Sequence, residues 1–323
     1  MLIANEDMYN NLKDNQINQF FFDCTYKLVP PNKHNFRLMV LCGYNSHIKK
    51  TKLCLFVLLS NEKEETFRVL FSYLKENCSF NPRNIMCDFS MGQILAVKKV
   101  FEEVQIHCCF FHFSQAIWHR FKINNLCGIG TYQKNRELLF NIQIMCFMKR
   151  DKIDSFYNQL KRKYKENKYK KFFEYFSKNW LGGKYPKNLW NYYDIINNDN
   201  SNNITHFHLT NNLCENINRY LNSNLKRGIC SNFLFRTSIL MVIEQFENKS
   251  DNISIENKKS DILKFYIKNC NNPKILNTEE INELYDIYND VKFVNINKDY
   301  IENDEGEANI LNYDIIMVIL IYL

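Results

Sequence analysis

The chain has 323 residues, 46% hydrophobic and 15% aromatic, enough to fill a sizeable core in one large domain or two ordinary ones, which excludes global disorder. Its formal charge of +7 is unevenly spread: +2 over residues 1–114, +11 over 115–195 and −6 over 196–323, so the middle block suits a polyanionic partner, although a solvated lysine face has the same composition. Twelve cysteines, with no signal peptide and several inside apolar runs, fit buried free thiols better than a disulfide scaffold, and no apolar run approaches the roughly 18 residues that span a bilayer.

Residues 1–17 are polar and unpatterned, and are expected to be an irregular lead-in. Gln19 to Thr25 is a buried-type strand with one carboxylate, Asp23, among phenylalanines. Phe36 to Gly43 and Leu53 to Ser60 are two more apolar runs, so three strands form an antiparallel meander. Asn61 to Asn77 reads as a helix, with Phe67, Leu70, Phe71 and Leu74 at spacings of three and four, stopped near Asn81-Pro82. A short apolar run, Ile85 to Cys87, then delivers Asp88. A helix with Ile94, Leu95, Val97 and Phe101 on one side follows, and a second apolar run from Ile106 to Phe111 ends at His112 before another helix.

A meander followed by parallel strands with crossover helices is the topology of a ribonuclease-H-like fold: a mixed five-stranded sheet with flanking helices. In it the first and fourth strands are neighbours, so Asp23 and Asp88 face one another. An aspartate among phenylalanines is costly to desolvate unless a cation answers it, and two together favour a divalent ion. The plainer reading of Asp88 is an N-cap.

Residues 122–204 are helical in pattern, basic and aromatic, and read as an all-helical insertion. Lys161, Arg162, Lys163, Lys170 and Lys171 are interleaved with aromatic residues, as on a surface that tracks a phosphate backbone, or simply on the outer face of an amphipathic helix. Trp180 and Trp190 suit either a core or stacking on an extruded base. The core resumes over 205–250. On a helix from Asn212, Leu213, Ile217, Tyr220, Leu221 and Leu225 share an arc, and Glu215, Asn218, Arg219 and Asn222 lie opposite. Asn212-x-x-Glu215 also reads as a capping box. A further helix is expected over 233–246. Residues 251–323 are acidic and Asn-rich, with one or two helices over 276–314 and a terminal apolar run, Ile315 to Leu323.

Four pieces, DCTYK at Asp23, PRNIMCDFS around Asp88, CFFH at Cys109 and TNNLCEN around Glu215, resemble the Mutator-like (MULE) transposase domain in order and spacing. The resemblance runs from about Phe20 to Leu225. It departs at Ser90, where an acidic residue is common, and at Gly92, where an alanine is usual. It implies a DDE-type recombinase in which Asp23, Asp88 and Glu215 are the catalytic carboxylates. They would hold two Mg²⁺ or Mn²⁺ ions about 3.5–4 Å apart for in-line attack on a DNA phosphodiester. Double-stranded DNA is the implied partner, contacted by the lysine-rich run, Trp190 and Arg219, with no membrane partner and a homo-oligomer in the active complex. Work on chromosomal DNA implies the nucleus, if the source is eukaryotic. The family's Cys-x-x-His signature falls on Cys109 and His112, which with His206 and His208 could bind zinc or serve structure alone. The chain starts 22 residues before Asp23, which leaves little room for an N-terminal recognition module and suggests a truncated copy. The rival expectation is a domesticated DNA-binding protein that keeps the fold without cleavage.

Overall fold

The computed structural model describes residues 1–29, 35–126, 132–197, 208–225, 232–249 and four positions between 275 and 280. The expected helices over 276–314 and the apolar run at the C-terminus lie outside the described residues. The chain divides into two compact units; the first takes Met1–Cys109 and His206–Ser254, and the second includes Phe110–Thr205.

The first unit is a mixed six-stranded sheet with helices. Its strands are β1 (Leu2–Ile3), β2 (Ile17–Thr25), β3 (Arg37–Asn45), β4 (Lys50–Leu59), β5 (Asn84–Cys87) and β6 (Gln105–Cys108), in the order β1-β4-β3-β2-β5-β6. The meander β2-β3-β4 is antiparallel, while β2-β5 and β5-β6 pair in parallel. The expected five strands are therefore present with a sixth. Residues 1–17 are not irregular: Leu2 and Ile3 pair with Val57 and Phe56 of β4. They are followed by α1 (Glu6–Leu12), which Asn5 caps by accepting the Met8 N–H. Ile3, Met8 and Leu12 are buried. Three apolar residues spread over a two-residue strand and two helical turns are too few to register as a period.

β2 is buried almost from end to end, as a strand covered on both faces must be. Its side chains divide by the two-residue period of a strand. Phe20 meets Phe80 edge to face at 4.9 Å, and Phe22 meets Phe71 at 5.4 Å. Both partners come from α2 (Glu64–Cys78) and its end. There Ser79 adopts a left-handed turn (φ 54°) and the Phe80 N–H bonds back to the Leu74 carbonyl. Cys24, on the same face, accepts from Gln93 of α3 (Met91–Val100) at 3.5 Å. The alternate residues Gln19, Phe21 and Asp23 point to the opposite face, where α9 (Asn212–Asn224) lies. α10 (Asn232–Lys249) completes the described part of this unit.

The described part of the second unit is helical: α4 (Phe110–Ile123), α5 (Tyr132–Ile144), α6 (Arg150–Lys163), α7 (Asn167–Phe176) and α8 (Tyr193–Asn197), with a π-helical turn over Ser177–Leu181. Its core is aromatic. Phe113 stacks on Trp190 at 5.5 Å and meets Trp180 edge-on at 4.8 Å, and Phe121 meets Phe172 at 4.6 Å. Asn191 gathers the carbonyls of Met145, Cys146 and Met148 with its amide nitrogen.

The glycine at position 92 has a steric cause. A Cβ there would lie 2.6 Å from the Glu62 carbonyl oxygen and 3.1 Å from the Glu64 nitrogen, both backbone atoms that cannot swing aside. Alanine improves helix propensity by about 1 kcal/mol, but the overlap should outweigh it. Gly92→Ala is expected to destabilise the protein by about 1–3 kcal/mol in urea unfolding; a stabilised variant would show that the approach is not tight.

Candidate active site

Asp23 lies near the end of β2. The parallel register pairs Phe20 with Ile85 and Phe21 with Met86; carried two residues further, it sets Asp23 level with Asp88, just past the end of β5. Asp23 is 9% exposed and Asp88 is half-buried. Asp23 accepts from its neighbour's backbone, Cys24 N–H to Oδ1 at 2.9 Å, and from the Asn218 amide to Oδ2 at 2.8 Å. Asp88 does not cap the following helix, whose N-cap is Ser90.

The electrostatic footprint of the pair is visible on two thiols. Burial pushes the Cys214 thiol well above its ordinary value; its contact with Cys42 and then the charges of Asp23 and Asp88 add to this. Burial likewise raises Cys24, with Asp23, Glu62 and Asp88 contributing and a hydrogen bond from Gln93 opposing. Both carboxylates therefore act on the same neighbours, the buried Cys214 and the half-buried Cys24. These thiols stay protonated at neutral pH, which suits structural cysteines and neither nucleophiles nor metal ligands.

Glu215 sits in the first turn of α9, half-buried. What aims this helix is a row of bonds to the sheet. Gln19, fully buried, donates its amide to the His208 carbonyl and accepts the His208 N–H, both at 2.9 Å. Asn211, also fully buried, donates its side-chain amide to the Phe22 carbonyl at 3.0 Å, and its backbone N–H reaches the Cys109 sulfur at 3.2 Å. Cys214 meets Cys42 at 3.4 Å, and Asn218 closes the row on Asp23. The capping-box reading is therefore replaced: the N-cap is Asn211, whose side chain makes no cap bond and whose amide nitrogen donates to β2. The inward face of α9 is also turned from the expected arc. Cys214, Ile217 and Leu221 are the buried positions, and Asn218, expected on the outer stripe, faces Asp23.

Cys109 and His112 fall to different units. β6 ends at Cys108 and α4 starts at Phe110, so His112 is a half-buried residue of the first helical turn and does not stand at a strand end. His208 packs its ring against Tyr44 at 4.3 Å, and His206 lies outside the described residues. Among the described residues no three or more His, Cys, Asp or Glu side chains form a metal-holding group. As they stand, Asp23, Asp88 and Glu215 do not form such a three-ligand group either. The donor set still suits a hard divalent cation: carboxylate oxygens at one end of the sheet, with Asp88 Oδ1 and Glu215 Oε1 shielded from solvent.

Trp190 is 0% exposed and donates its ring N–H to the Trp180 carbonyl at 3.1 Å, so it is a core residue and not a DNA contact. Its size and the surrounding aromatic residues outweighed the alternative. Lys161, Arg162, Lys163, Lys170, Lys171 and Arg219 are exposed. Asn158, Lys161, Arg162 and Lys165 line an open cavity of ≈ 540 Å³. Lys161 and Lys165 also border a second, of ≈ 720 Å³, with Lys170 and Lys178. Lys163 lines neither cavity and sits 3.2 Å from Glu137; Arg219 bonds Asn216 at 3.4 Å.

Residues 19–116 match the family model of the MULE transposase domain. The match covers β2 to the start of α4, under a third of the chain, and holds Asp23, Asp88, Cys109 and His112. Glu215 and the lysine-lined cavities lie beyond the MULE segment. No curated protein matches the chain. No helix among the described residues is long and apolar enough to cross a membrane.

Sequence reasoning missed Gln19, Asn211, Lys165 and Lys178. For Gln19 a signal existed, since a polar side chain inside a buried strand must find partners. Gln19→Leu keeps the bulk and removes both bonds to His208. It should cost about 2 kcal/mol in chemical denaturation; a loss below a few tenths would mean that this clamp does not hold α9.

Proposed function

We propose that the chain is a transposase-type enzyme of ribonuclease-H-like fold that cuts and joins double-stranded DNA, using Asp23, Asp88 and Glu215 to hold Mg²⁺ or Mn²⁺. The observation that carries this is the level placement of Asp23 and Asp88 at the C-terminal ends of adjacent parallel strands, beside the helix that bears Glu215. The MULE match over the two strands supports the same reading.

When bound, divalent ions supply activation of the attacking oxygen and stabilisation of the leaving oxygen. The chain's own part is placement. β2 and β5 set two carboxylates at one height, and the low exposure of Asp23 limits competition from water. The bonds from Gln19 and Asn211 hold α9 so that Glu215 enters from the helix side. No protein nucleophile is needed, in keeping with thiols that burial holds protonated. The lysine-lined cavities of the second unit take the DNA backbone. A homo-oligomer would let two DNA ends be joined, and work on chromosomal DNA would place the protein in the nucleus of a eukaryotic cell.

A second reading, a DNA-binding protein that no longer cleaves, draws on one observation: the three carboxylates are not gathered into a single cation-holding group. Strand nicking and joining on labelled duplex DNA with Mn²⁺ separates the two. Asp23→Ala, Asp88→Ala and Glu215→Ala should each lower the rate by at least ~10³-fold, since a metal-held transition state loses about 4 kcal/mol or more with its ligand; equal rates in all four proteins would remove the enzyme reading. DNA affinity tests the basic cavities independently. Replacing Lys161, Arg162 and Lys165 together by alanine should flatten the log–log salt dependence of binding by about 0.9 for each phosphate that is no longer neutralised. An unchanged slope would place the DNA elsewhere.

A further inference from the structure

Asn218 stands one helical turn after Glu215, on the same side of α9. Its amide nitrogen is 2.8 Å from Asp23 Oδ2, while its own oxygen, Oδ1, is buried and meets no hydrogen-bond donor among the described residues. An orphaned buried carbonyl oxygen on a side chain that touches Asp23 calls for an explanation. The bond to Asp23 accounts for the amide nitrogen but leaves the oxygen unexplained.

The geometry points to Asn218 Oδ1 as a ligand of the divalent cation, alongside Asp23 and Asp88, with Glu215 as the second contribution of α9. This rests on the metal-dependent reading above. Rotating the carboxamide by half a turn about its terminal bond exchanges Nδ2 and Oδ1. It would set an oxygen 2.8 Å from Asp23 Oδ2, where two acceptors repel unless a cation joins them. That separation matches the cation. Ligand oxygens 2.0–2.1 Å from an octahedral ion and at right angles to each other are about 2.9 Å apart. Without the ion, the N–H face of the amide turns to Asp23 and holds the carboxylate; with it, the oxygen face does. One side chain thus serves both states without moving the helix, and the set of aspartates and amide oxygen contains only hard donors.

The test is Mn²⁺ binding to the whole chain, by calorimetry and by the Mn²⁺-dependent rise in melting temperature, each variant being compared with its own metal-free form. Asn218→Ala should weaken Mn²⁺ binding at least ~10-fold, the scale of one missing ligand or ligand support. Asn218→Asp, which keeps an oxygen in place, should bind as tightly as the natural chain or more tightly. Natural affinity in Asn218→Ala overturns the assignment. So does an Asn218→Asp variant as weak as Asn218→Ala, because the loss would then come from undocking the helix. If the natural chain itself gains no stability from Mn²⁺ and Asp23→Ala changes nothing, the metal-dependent reading has failed and this assignment with it. If the natural chain binds and Asn218→Ala binds equally, only the role of Asn218 is lost.

Discussion

The first unit turns on how α9 is fastened to the central strand. Beside the apolar face of Cys214, Ile217 and Leu221, polar side chains spend themselves on backbone: Gln19 on both groups of His208, and Asn211 on the Phe22 carbonyl. Breaking buried amide bonds of this kind is costly, so they favour one register. A helix held only by leucines could slide or rotate by a fraction of a turn. Held by Gln19 and Asn211, it delivers Cys214 to Cys42 and Asn218 to Asp23, and the site inherits that precision.

The two-residue period of β2 separates stability from chemistry. Phe20, Phe22 and Cys24 go to the face covered by α2 and α3, where aromatic pairs with Phe80 and Phe71 form the core. Gln19, Phe21 and Asp23 go to the other face, where each meets the segment 208–218. A carboxylate can sit at 9% exposure in a strand of phenylalanines because the Asn218 amide and the Cys24 N–H donate to it. The parallel partner β5 adds Asp88 at the same height. The close approach of α3 to the backbone before α2, which leaves no room for a Cβ at Gly92, lies next to this strand end.

The second unit solves a different problem. Its tryptophans and many of its phenylalanines pack inward, with Trp180 and Trp190 sharing the ring of Phe113. The lysines are left outside, in part stretched over tyrosine rings, as Lys161 is over Tyr157 and Lys168 over Tyr169. Aromatic residues interleaved with cations in sequence are thus divided by the helix into an apolar side and a charged side. The charged side keeps its potential for a polyanion, and no stacking platform is built from the tryptophans.

What the sequence determined by itself was whatever local pattern encodes: the antiparallel meander, the helix with Phe67, Leu70, Phe71 and Leu74, the strand that ends just before Asp88, and the basic helical stretch. These follow from periods of 2 and 3.6 and from Asp and Pro at element ends, which act over a few residues. The adjacency of the strands that carry Asp23 and lead to Asp88 was also legible, since it depends only on strand order. The tertiary structure alone decided the short N-terminal strand on β4, the rotation of α9 that turns Asn218 inward, the burial of Trp190 and the use of Asn211 on β2 in place of a helix cap. Each of these is settled by partners up to 195 positions away, and a buried amide chooses among possible partners by geometry, which no local spacing records.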